Sequence, residues 1–499
     1  MDAITSSRDA ITSSRMRAID LNCEYLGIDS LQLMENAGAG IAREIRSHLD
    51  SGKIIFVSGR GNNGGDAFVA ARHIALHAEY DVRLIILGNF SQIRTRESIH
   101  NFRLLEHSGI TETLEISDSY ELESLPEWNN ADIIVDGILG SGVKGALRRL
   151  ESSAISCIND SDAFIISIDT PSGLDMDTGE SVLSVKANMT LTFHRPKKGL
   201  ILPNASAFVG ELEVLDIGVC KDAETFVGPG DINNLKKRSN DSHKGSSGKV
   251  LVIGGGAYYG APALAGLAAL RSGADIVTLA VPEKIASTVA SFSPDLIVHS
   301  LSGEMLHPGN VPVISELIRS HDVVIVGPGL GKAEVTIQAL TRILPLCKKV
   351  VVDADALNKS TFSGIYDADI IITPHLGEFS RISGEDILED IDNKKNAVIE
   401  FSNDQKLVTL LKGDLDIISD GYETRLNKTG NPGMAVGGTG DVLAGITGAL
   451  FAVNDAMDAA MCASFINGAA GDIAFQEKGH GLLATDIITM ISNVMKREI

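Results

Sequence analysis

The sequence predicts an α/β protein of two domains, each a mostly parallel sheet with helices on both faces. Short apolar runs, each closing on glycine or an acid, alternate with longer runs of helical spacing, and that rhythm builds parallel sheets. The rhythm is broken most clearly at residues 231–248 (DINNLKKRSNDSHKGSSG), a polar, glycine- and serine-bearing stretch that reads as a domain boundary. The expected layout is an unstructured extension over 1–15, a first domain over 16–227, a linker leading into the second domain over 228–248, and a second domain over 249–499.

Composition narrows the function classes. Hydrophobic content of 44% and charged content of 22% are ordinary for a soluble globular chain. A net charge of −22 argues against nucleic acid or an anionic membrane as partner. A phosphate-bearing ligand would therefore be held by local dipoles rather than by a basic surface. Cys23, Cys157, Cys220, Cys347 and Cys462 are scattered without a CxxC pair and read as reduced thiols. No apolar stretch reaches the ~18 residues of a membrane span, and no signal-peptide pattern is seen, so the expected location is the cytoplasm. The heptapeptide DAITSSR occurs at 2–8 and again at 9–15, before Met16. It has no apolar face, so it is expected to be unstructured, with the working chain starting near Met16.

Within the first domain, Leu31, Leu33, Met34, Ala37, Ile41, Ala42 and Ile45 fall at helical intervals across residues 21–49. Residues 53–58 (KIIFVS) read as a buried strand, followed by the turn GRGNNGGD over 59–66 and a helix over 67–77. Strand, glycine turn and helix form the layout of a dinucleotide-binding crossover, and GRGNNG fits G-x-G-x-x-G. The next strand, 82–87, runs into Gly88-Asn89-Phe90 instead of a ribose-binding acid, which counts against an ordinary nicotinamide dehydrogenase. Asn62 and Asn63 bring amide groups beside the phosphate-binding backbone, and Asp66 opens the helix. Two later strands end in acids: 131–135 at Asp136, then GILGSGVKG, and 163–168 at Asp169, then TPSGLD. In a parallel sheet such strand ends share the edge where ligands bind. Asn63, Asp136 and Ser172 then offer oxygens to a hard cation such as potassium or magnesium; each acid alone reads equally as a turn or helix cap. Lys144 either binds an anionic group or is simply solvated. A strand over 189–193 leads into the basic turn HRPKKG, where His194 reads as a satisfied strand-end histidine, and 211–217 reads as the last strand.

The rhythm restarts after the boundary. Strands are expected at 249–253, 276–281, 296–301, 323–326, 349–352, 370–372 and 407–411, with helices at 261–272, 284–292, 311–320 and 335–346 between them. Asp420-Gly421, flanked by apolar pairs, signals a hairpin. Strand ends carry GPGLG at 327–331, DADAL at 353–357, TPHLGE at 373–378 and KGDLD at 412–416. Lys412 reads as a phosphate partner or an edge lysine; His375 touches ligand or merely makes a turn. The stretch NPGMAVGGTGDVLAGIT over 431–447 then places Gly437, Gly438, Thr439 and Gly440 ahead of an apolar run of helical spacing. The first N–H groups of a helix lack intrahelical partners, and with the dipole they cradle an anion that glycine lets approach closely. Asp441 puts a carboxylate at the rim of that cradle, where it can take a proton from a hydroxyl attacking a phosphoryl group. The plainer alternative is a glycine turn with Asp441 as a helix-start residue.

With these motifs in view, the second half, through GPGLG, DADAL, TPHLGE and GNPGMAVGGTGDVLAGI, resembles the ribokinase-like dehydratase that repairs hydrated NADH and NADPH. The first half, through GRGNNGGD, VDGILGSG and SIDTPSGLD, resembles the NAD(P)H-hydrate epimerase domain, a Rossmann-like αβα fold. Fused in this order, the pair resembles the bifunctional NAD(P)H-hydrate repair enzymes of bacteria and archaea over nearly the whole chain from Met16. The resemblance implies that the first domain interconverts the R and S hydrates. Asn62, Asn63, Gly64, Gly65, Asp66, Gly140, Ser141, Gly142, Val143, Lys144, Gly145, Ala146 and Asp169 would contact the hydrate, with Asp169 catalytic. Asn63, Asp136 and Ser172 would hold potassium. It further implies that the second domain dehydrates the S form with Mg2+ and ADP, giving AMP and phosphate. Ala263, Gly329, His375 and Asp441 would bind the hydrate, with Asp441 catalytic. Lys412, Gly413, Asp414, Leu415, Asp416 and Gly440 would hold the adenine nucleotide, beside the amides of Gly437, Gly438 and Thr439. The expected partners are these small molecules and a second copy of the chain in a homo-oligomer. The competing reading is a small-alcohol kinase of the same fold carrying a non-catalytic binding module.

Overall fold

The computed structural model describes residues 10–108, 112–140, 147–238, 241, 243, 245–361, 367–385, 387 and 390–496. The chain divides into two compact units, Met1–Lys221 and Asp222–Ile499.

The first unit is built on seven strands: β1 (Gly52–Ser58), β2 (Tyr80–Leu87), β3 (Glu112–Ile116), β4 (Ile133–Gly137), β5 (Phe164–Ile168), β6 (Met189–Phe193) and β7 (Glu211–Leu215). They lie in the order β3-β2-β1-β4-β5-β6-β7, and every neighbouring pair is parallel. Such a sheet must be covered on both faces, which is why its inner strands are nearly continuous Ile, Val, Leu and Phe. Ile55, Val57, Ile85, Leu87 and Ile134 point into one apolar cluster. The intervening Ile54, Phe56 and Leu84 are fully buried as well, as side-chain alternation along a strand demands. The order reverses at β1, whose two neighbours are β2 and β4, so the chain leaves β1 and β4 in a crevice at their carboxyl ends.

The second unit carries nine strands: β8 (Lys249–Ile253), β9 (Ile276–Pro282), β10 (Ile297–Leu301), β11 (Val323–Val326), β12 (Lys349–Val352), β13 (Asp369–Ile372), β14 (Val408–Leu411), β15 (Asp416–Ser419) and β16 (Thr424–Asn427). Their order is β10-β9-β8-β11-β12-β13-β14-β15-β16, parallel as far as β14 and antiparallel through the hairpin β15–β16. Alternate residues of β8 enter separate clusters, Val250 and Val252 on one face, Leu251 and Ile253 on the other. The helix Ala261–Arg271 packs against the helix Thr439–Phe451 at Gly445, where an added Cβ would meet the Ala268 methyl at 2.8 Å. The alanines of one helix and the glycines of the other therefore serve close approach.

Three boundaries differ from expectation. The helix after β1 runs Asn62–Ala75, so Asn62 to Asp66, expected in the glycine turn, form its first turns, with Gly61 as the cap. The extension is structured from Ala10 onward: Ile11 bridges to Lys197, and a helix starts at Ser13, running Ser13–Tyr25. Ser13 donates through its amide and its hydroxyl to the two carboxylate oxygens of Asp177, each at 2.6 Å. The first copy of the heptapeptide falls on residues 2–8, outside the described residues. The second unit also begins earlier than expected: residues 222–227 belong to it rather than to the first domain, and the stretch expected as a linker from 228 is part of it. The Val227 amide donates to Leu426 O at 2.8 Å, and Arg425 makes a two-pronged ion pair with Asp231 at 3.0 and 3.1 Å, both side chains almost wholly buried. Polar composition marked this stretch as a join, but its charge is matched by a partner on β16.

Candidate functional sites

In the first unit a cavity of about 680 Å³ opens at the crevice between β1 and β4. Gly59, Arg60, Gly61, Asn62 and Asn63 line it after β1, with Ile138, Leu139 and Gly140 after β4. Asn62 and Asn63 begin the helix Asn62–Ala75, whose N-cap is Gly61, and Gly64 and Gly65 lie buried within its first turns. Bulk is forbidden there: a Cβ on Gly65 would sit 2.5 Å from the Ser98 hydroxyl, and one on Gly137 would sit 2.9 Å from the Ala67 methyl. Residues 141–146, and with them the expected contacts Ser141, Gly142, Val143, Lys144, Gly145 and Ala146, lie outside the described residues.

Asp136, 0% exposed at the end of β4, accepts from Ser172 Oγ at 2.5 Å, Ser172 N at 2.8 Å, Ser167 Oγ at 2.9 Å and Ile138 N at 3.3 Å. It has no ion pair among the described residues. Burial raises its pKa above the ordinary carboxylate value, with these hydrogen bonds opposing. Ser172 Oγ in turn accepts from Leu139 N at 2.9 Å, and the Asn63 amide donates to Leu139 O at 3.1 Å. Asn63, Asp136 and Ser172 are thus joined through one loop, as their positions at strand ends suggested. A buried carboxyl group surrounded by oxygens suits a hard cation better than a nitrogen- or sulfur-seeking metal.

Asp169, just past β5, adopts φ 60°, rare for a residue with a Cβ. Its Oδ1 accepts from Lys197 Nζ at 2.5 Å and Thr192 Oγ1 at 3.1 Å. Lys197 is 1% exposed and spends its remaining donors on Thr192 Oγ1 at 2.9 Å and Phe193 O at 3.1 Å. Asp20, Asp66, Asp169 and Lys197 all line the cavity. Lys197 and Asp20 were not singled out from the sequence. Lys197 is one of two adjacent lysines in a basic turn, and nothing local says which is buried; Asp20 sits near a segment expected to lack structure.

In the second unit Gly438, at φ 99°, caps the helix Thr439–Phe451, whose first local bond runs from Val442 N to Gly438 O. The amides of Thr439, Gly440 and Asp441 precede that bond, so they have no intrahelical acceptor. Gly437 is exposed, and Thr439 to Asp441 are half-buried, leaving the cradle open. Thr439 Oγ1 donates to Met434 O and Val436 O, while Asp472 accepts from Gly430 N and from the Asn431 amide, so the loop before the cradle is tied to the helix Ala456–Lys478. A Cβ on Gly440 would lie 3.3 Å from Lys412 Nζ, which bonds Asp353 Oδ1 at 3.1 Å. Asp353 also accepts from Thr373 Oγ1 at 2.7 Å. Burial works against the charge on Lys412, yet Asp353, Glu378 and Asp441 outweigh it and raise its pKa above the usual lysine value. Asp441 is pushed up to about 7 by burial and by Asp353 and Asp355, with Lys412 opposing.

The remaining expected residues fall around this point. Gly438 would meet Leu264 if it carried a Cβ, and Gly329, at φ 69°, would meet Ala261. The helix carrying Ala263 therefore borders both glycine loops, with Ala263 itself buried. His375 caps the helix Leu376–Ser383, its Nδ1 accepting from Glu378 N while its ring stays 61% exposed, and its backbone bridges to Lys412. Gly413 and Asp414 are exposed and Leu415 half-buried; Asp416 turns its carboxylate to Ser464, Asn427 and Gly413 N, which shapes the turn. Asp353, in the DADAL motif, is the site residue passed over: its link to Lys412 spans neighbours that only the folded sheet brings together.

A glycine-opened helix with a carboxylate in its first turn and a half-buried lysine beside it is an arrangement for phosphoryl transfer, here joined to a second α/β unit of dinucleotide-binding layout. The NAD(P)H-hydrate dehydratase family profile matches residues 250–493, and that described as YjeF-related protein N-terminus matches residues 30–199. The chain is 43% identical to the bifunctional NAD(P)H-hydrate repair enzyme of Archaeoglobus fulgidus over 98% of both chains. It is 42% identical to that of Methanothermobacter thermautotrophicus, over 96% of this chain and 94% of the other. A crystal structure of the ADP/ATP-dependent NAD(P)H-hydrate dehydratase from Bacillus subtilis, co-crystallised with ATP and Mg2+, matches 55% of this chain and 98% of its own, with 28% identity and a TM-score of 0.49. The chain belongs to the bifunctional NAD(P)H-hydrate repair enzyme family.

Proposed function

We propose that this chain restores NADH and NADPH from their hydrates, the first unit interconverting the R and S epimers and the second dehydrating the S form at the expense of ADP. The observation that carries the reading is the cradle of the second unit: unpaired helix amides, Lys412 and a half-buried Asp441 meet at one open point. Hydroxide is a poor leaving group and phosphate a far better one, so a phosphoryl-transfer site can drive a dehydration. Asp441 takes the proton of the hydrate's hydroxyl as it attacks the phosphoryl group of ADP. The amides of Gly437 to Gly440 and the Lys412 ammonium hold the charge that develops on the moving phosphoryl. Phosphate then leaves, the ring double bond returns, and AMP is released. Ala263, Gly329 and His375 border the hydrate, and residues 412–416 the adenine nucleotide.

Among the described residues no three His, Cys, Asp or Glu side chains are grouped to hold a metal. Mg2+ would come with the phosphates of the nucleotide, supplying charge neutralisation there. In the first unit Asn63, Asp136 and Ser172 hold potassium, whose charge would compensate the buried Asp136. Residues 62–66, Gly140 and Asp169 border the hydrate, with Asp169 moving its hydroxyl proton. We place the reaction in the cytoplasm, with the chain as a homo-oligomer.

The test is stoichiometry. S-hydrate with ADP and Mg2+ should give one AMP and one inorganic phosphate for each dihydronicotinamide recovered. A stable phosphorylated product that accumulates without recovery of the chromophore would instead establish a small-alcohol kinase.

A further inference from the structure

Asp66 is a buried carboxyl to which the mechanism above gives no part in moving protons. It is 8% exposed, lines the first unit's cavity, and makes no hydrogen bond or ion pair among the described residues. A buried charge is tolerated only when paired, so an unpaired carboxyl in such a place holds its proton. Asp169, lining the same cavity, is the opposite case. Its Oδ1 is pinned by Lys197 and Thr192, while its second oxygen takes no hydrogen bond among the described residues. All the donors of Lys197 are spent on Asp169, Thr192 and Phe193 O, so it is a fixed cation rather than a mobile one. An unpaired carboxyl that holds its proton and a carboxylate ion-paired to a lysine, lining one cavity, make an acid–base pair.

We propose that Asp66 is the proton donor of epimerisation and Asp169 its proton acceptor, with Lys197 the positioning residue that holds Asp169 in place. This rests on reading the first unit as the epimerase. The hydrate carries its hydroxyl on the ring carbon beside the ring nitrogen. Asp169 takes the hydroxyl proton, the carbon–oxygen bond becomes a carbonyl, and the carbon–nitrogen bond breaks with its electron pair passing to nitrogen. Asp66 gives its proton to that nitrogen. The free carbonyl turns over and nitrogen attacks its other face. Nitrogen returns its proton to Asp66, and Asp169 returns the other to oxygen. Atoms and electrons balance with no further reactant.

The surroundings agree with this division of labour. Burial, then Asp169 and Asp20, raise the Asp66 carboxyl well above its ordinary value, with Lys197 opposing. Asp20 itself is pushed up to about 6 by burial, with Lys197 and Arg17 opposing and Asp169 adding to the rise. Arg17, Arg60, Arg94, Arg148 and Glu151 are the other charged residues lining the cavity among the described residues.

The experiment measures R-to-S conversion in the full chain as a function of pH. Asp66→Asn keeps the shape and removes the proton; it should slow conversion by about a hundredfold or more, the scale of a general acid, and abolish the alkaline fall in rate. Hydrate binding, followed by equilibrium dialysis, should be kept. Asp20→Asn should move the alkaline fall to lower pH and Lys197→Met to higher pH, because Asp20 favours the proton on Asp66 and Lys197 disfavours it. Lys197→Arg should restore part of the rate lost in Lys197→Met. A wild-type rate in Asp66→Asn, or an alkaline fall that stays put in both Asp20→Asn and Lys197→Met, overturns the proposal while leaving the epimerase reading standing. A wild-type chain that does not accelerate R-to-S conversion overturns both.

Discussion

Replacing Asp441 with asparagine keeps the shape of the side chain and removes its capacity to accept a proton. The carboxyl, ordinarily near 3.8, is raised to about 7, first by burial and then by Asp353 and Asp355. An acid whose folded-state pKa lies above its unfolded value costs stability once pH exceeds the unfolded value, and that cost is complete above the folded one. The gap sets an upper limit of roughly 4 kcal/mol, which the partial contact of Asp441 with water reduces. Asp441→Asn should therefore stabilise the second unit at pH 8, with a smaller gain at pH 5.5. Urea unfolding of the full chain at the two pH values measures this, the transition that ADP shifts being that of the second unit. Dehydration of S-hydrate should fall by about 10² to 10⁴, or ~3–5 kcal/mol of barrier, while wild-type turnover should rise with pH through about 7 and then level. Retained turnover, or a stability change independent of pH, would refute both the role of Asp441 and the origin of its shift.

Three further outcomes follow from the geometry. Gly438→Ala forces a Cβ into a φ of 99° and to 2.6 Å from Leu264 Cδ1, so it should cost about 1–3 kcal/mol in unfolding experiments and weaken ADP binding measured by calorimetry. Asp136→Asn should abolish the dependence of epimerisation on potassium in a salt-replacement series at constant ionic strength, leaving dehydration of S-hydrate intact. Arg425→Met removes the guanidinium that pairs with the buried Asp231 and should destabilise the second unit by about 3–5 kcal/mol, seen as a lower urea midpoint.

Local patterns were legible; alliances across the chain were not. Helices that follow strands, glycine at Gly61 and Gly438, and acids at the ends of β4 and β5 are set by neighbours in sequence, although the helix after β1 starts at Asn62 and takes in residues expected in the turn. Asp353 meets Lys412 only because β12, β13 and β14 lie side by side. Lys197 is distinguished from Lys198 only by the pocket that closes on it. The stretch from 228 reads as a linker because residues 231–248 are polar, and the partner of Asp231, Arg425, lies on a distant strand. The second DAITSSR copy gains order from Lys197 and Asp177, neither of which its own composition could announce.

A mixture of R- and S-hydrates incubated with the full chain, Mg2+ and ADP, and followed by dihydronicotinamide absorbance, tests the coupling of the two activities in a single trace. Recovery should run past the S fraction to consume both epimers. Recovery that halts at the S fraction, at no more than the spontaneous rate for the R form, would contradict it.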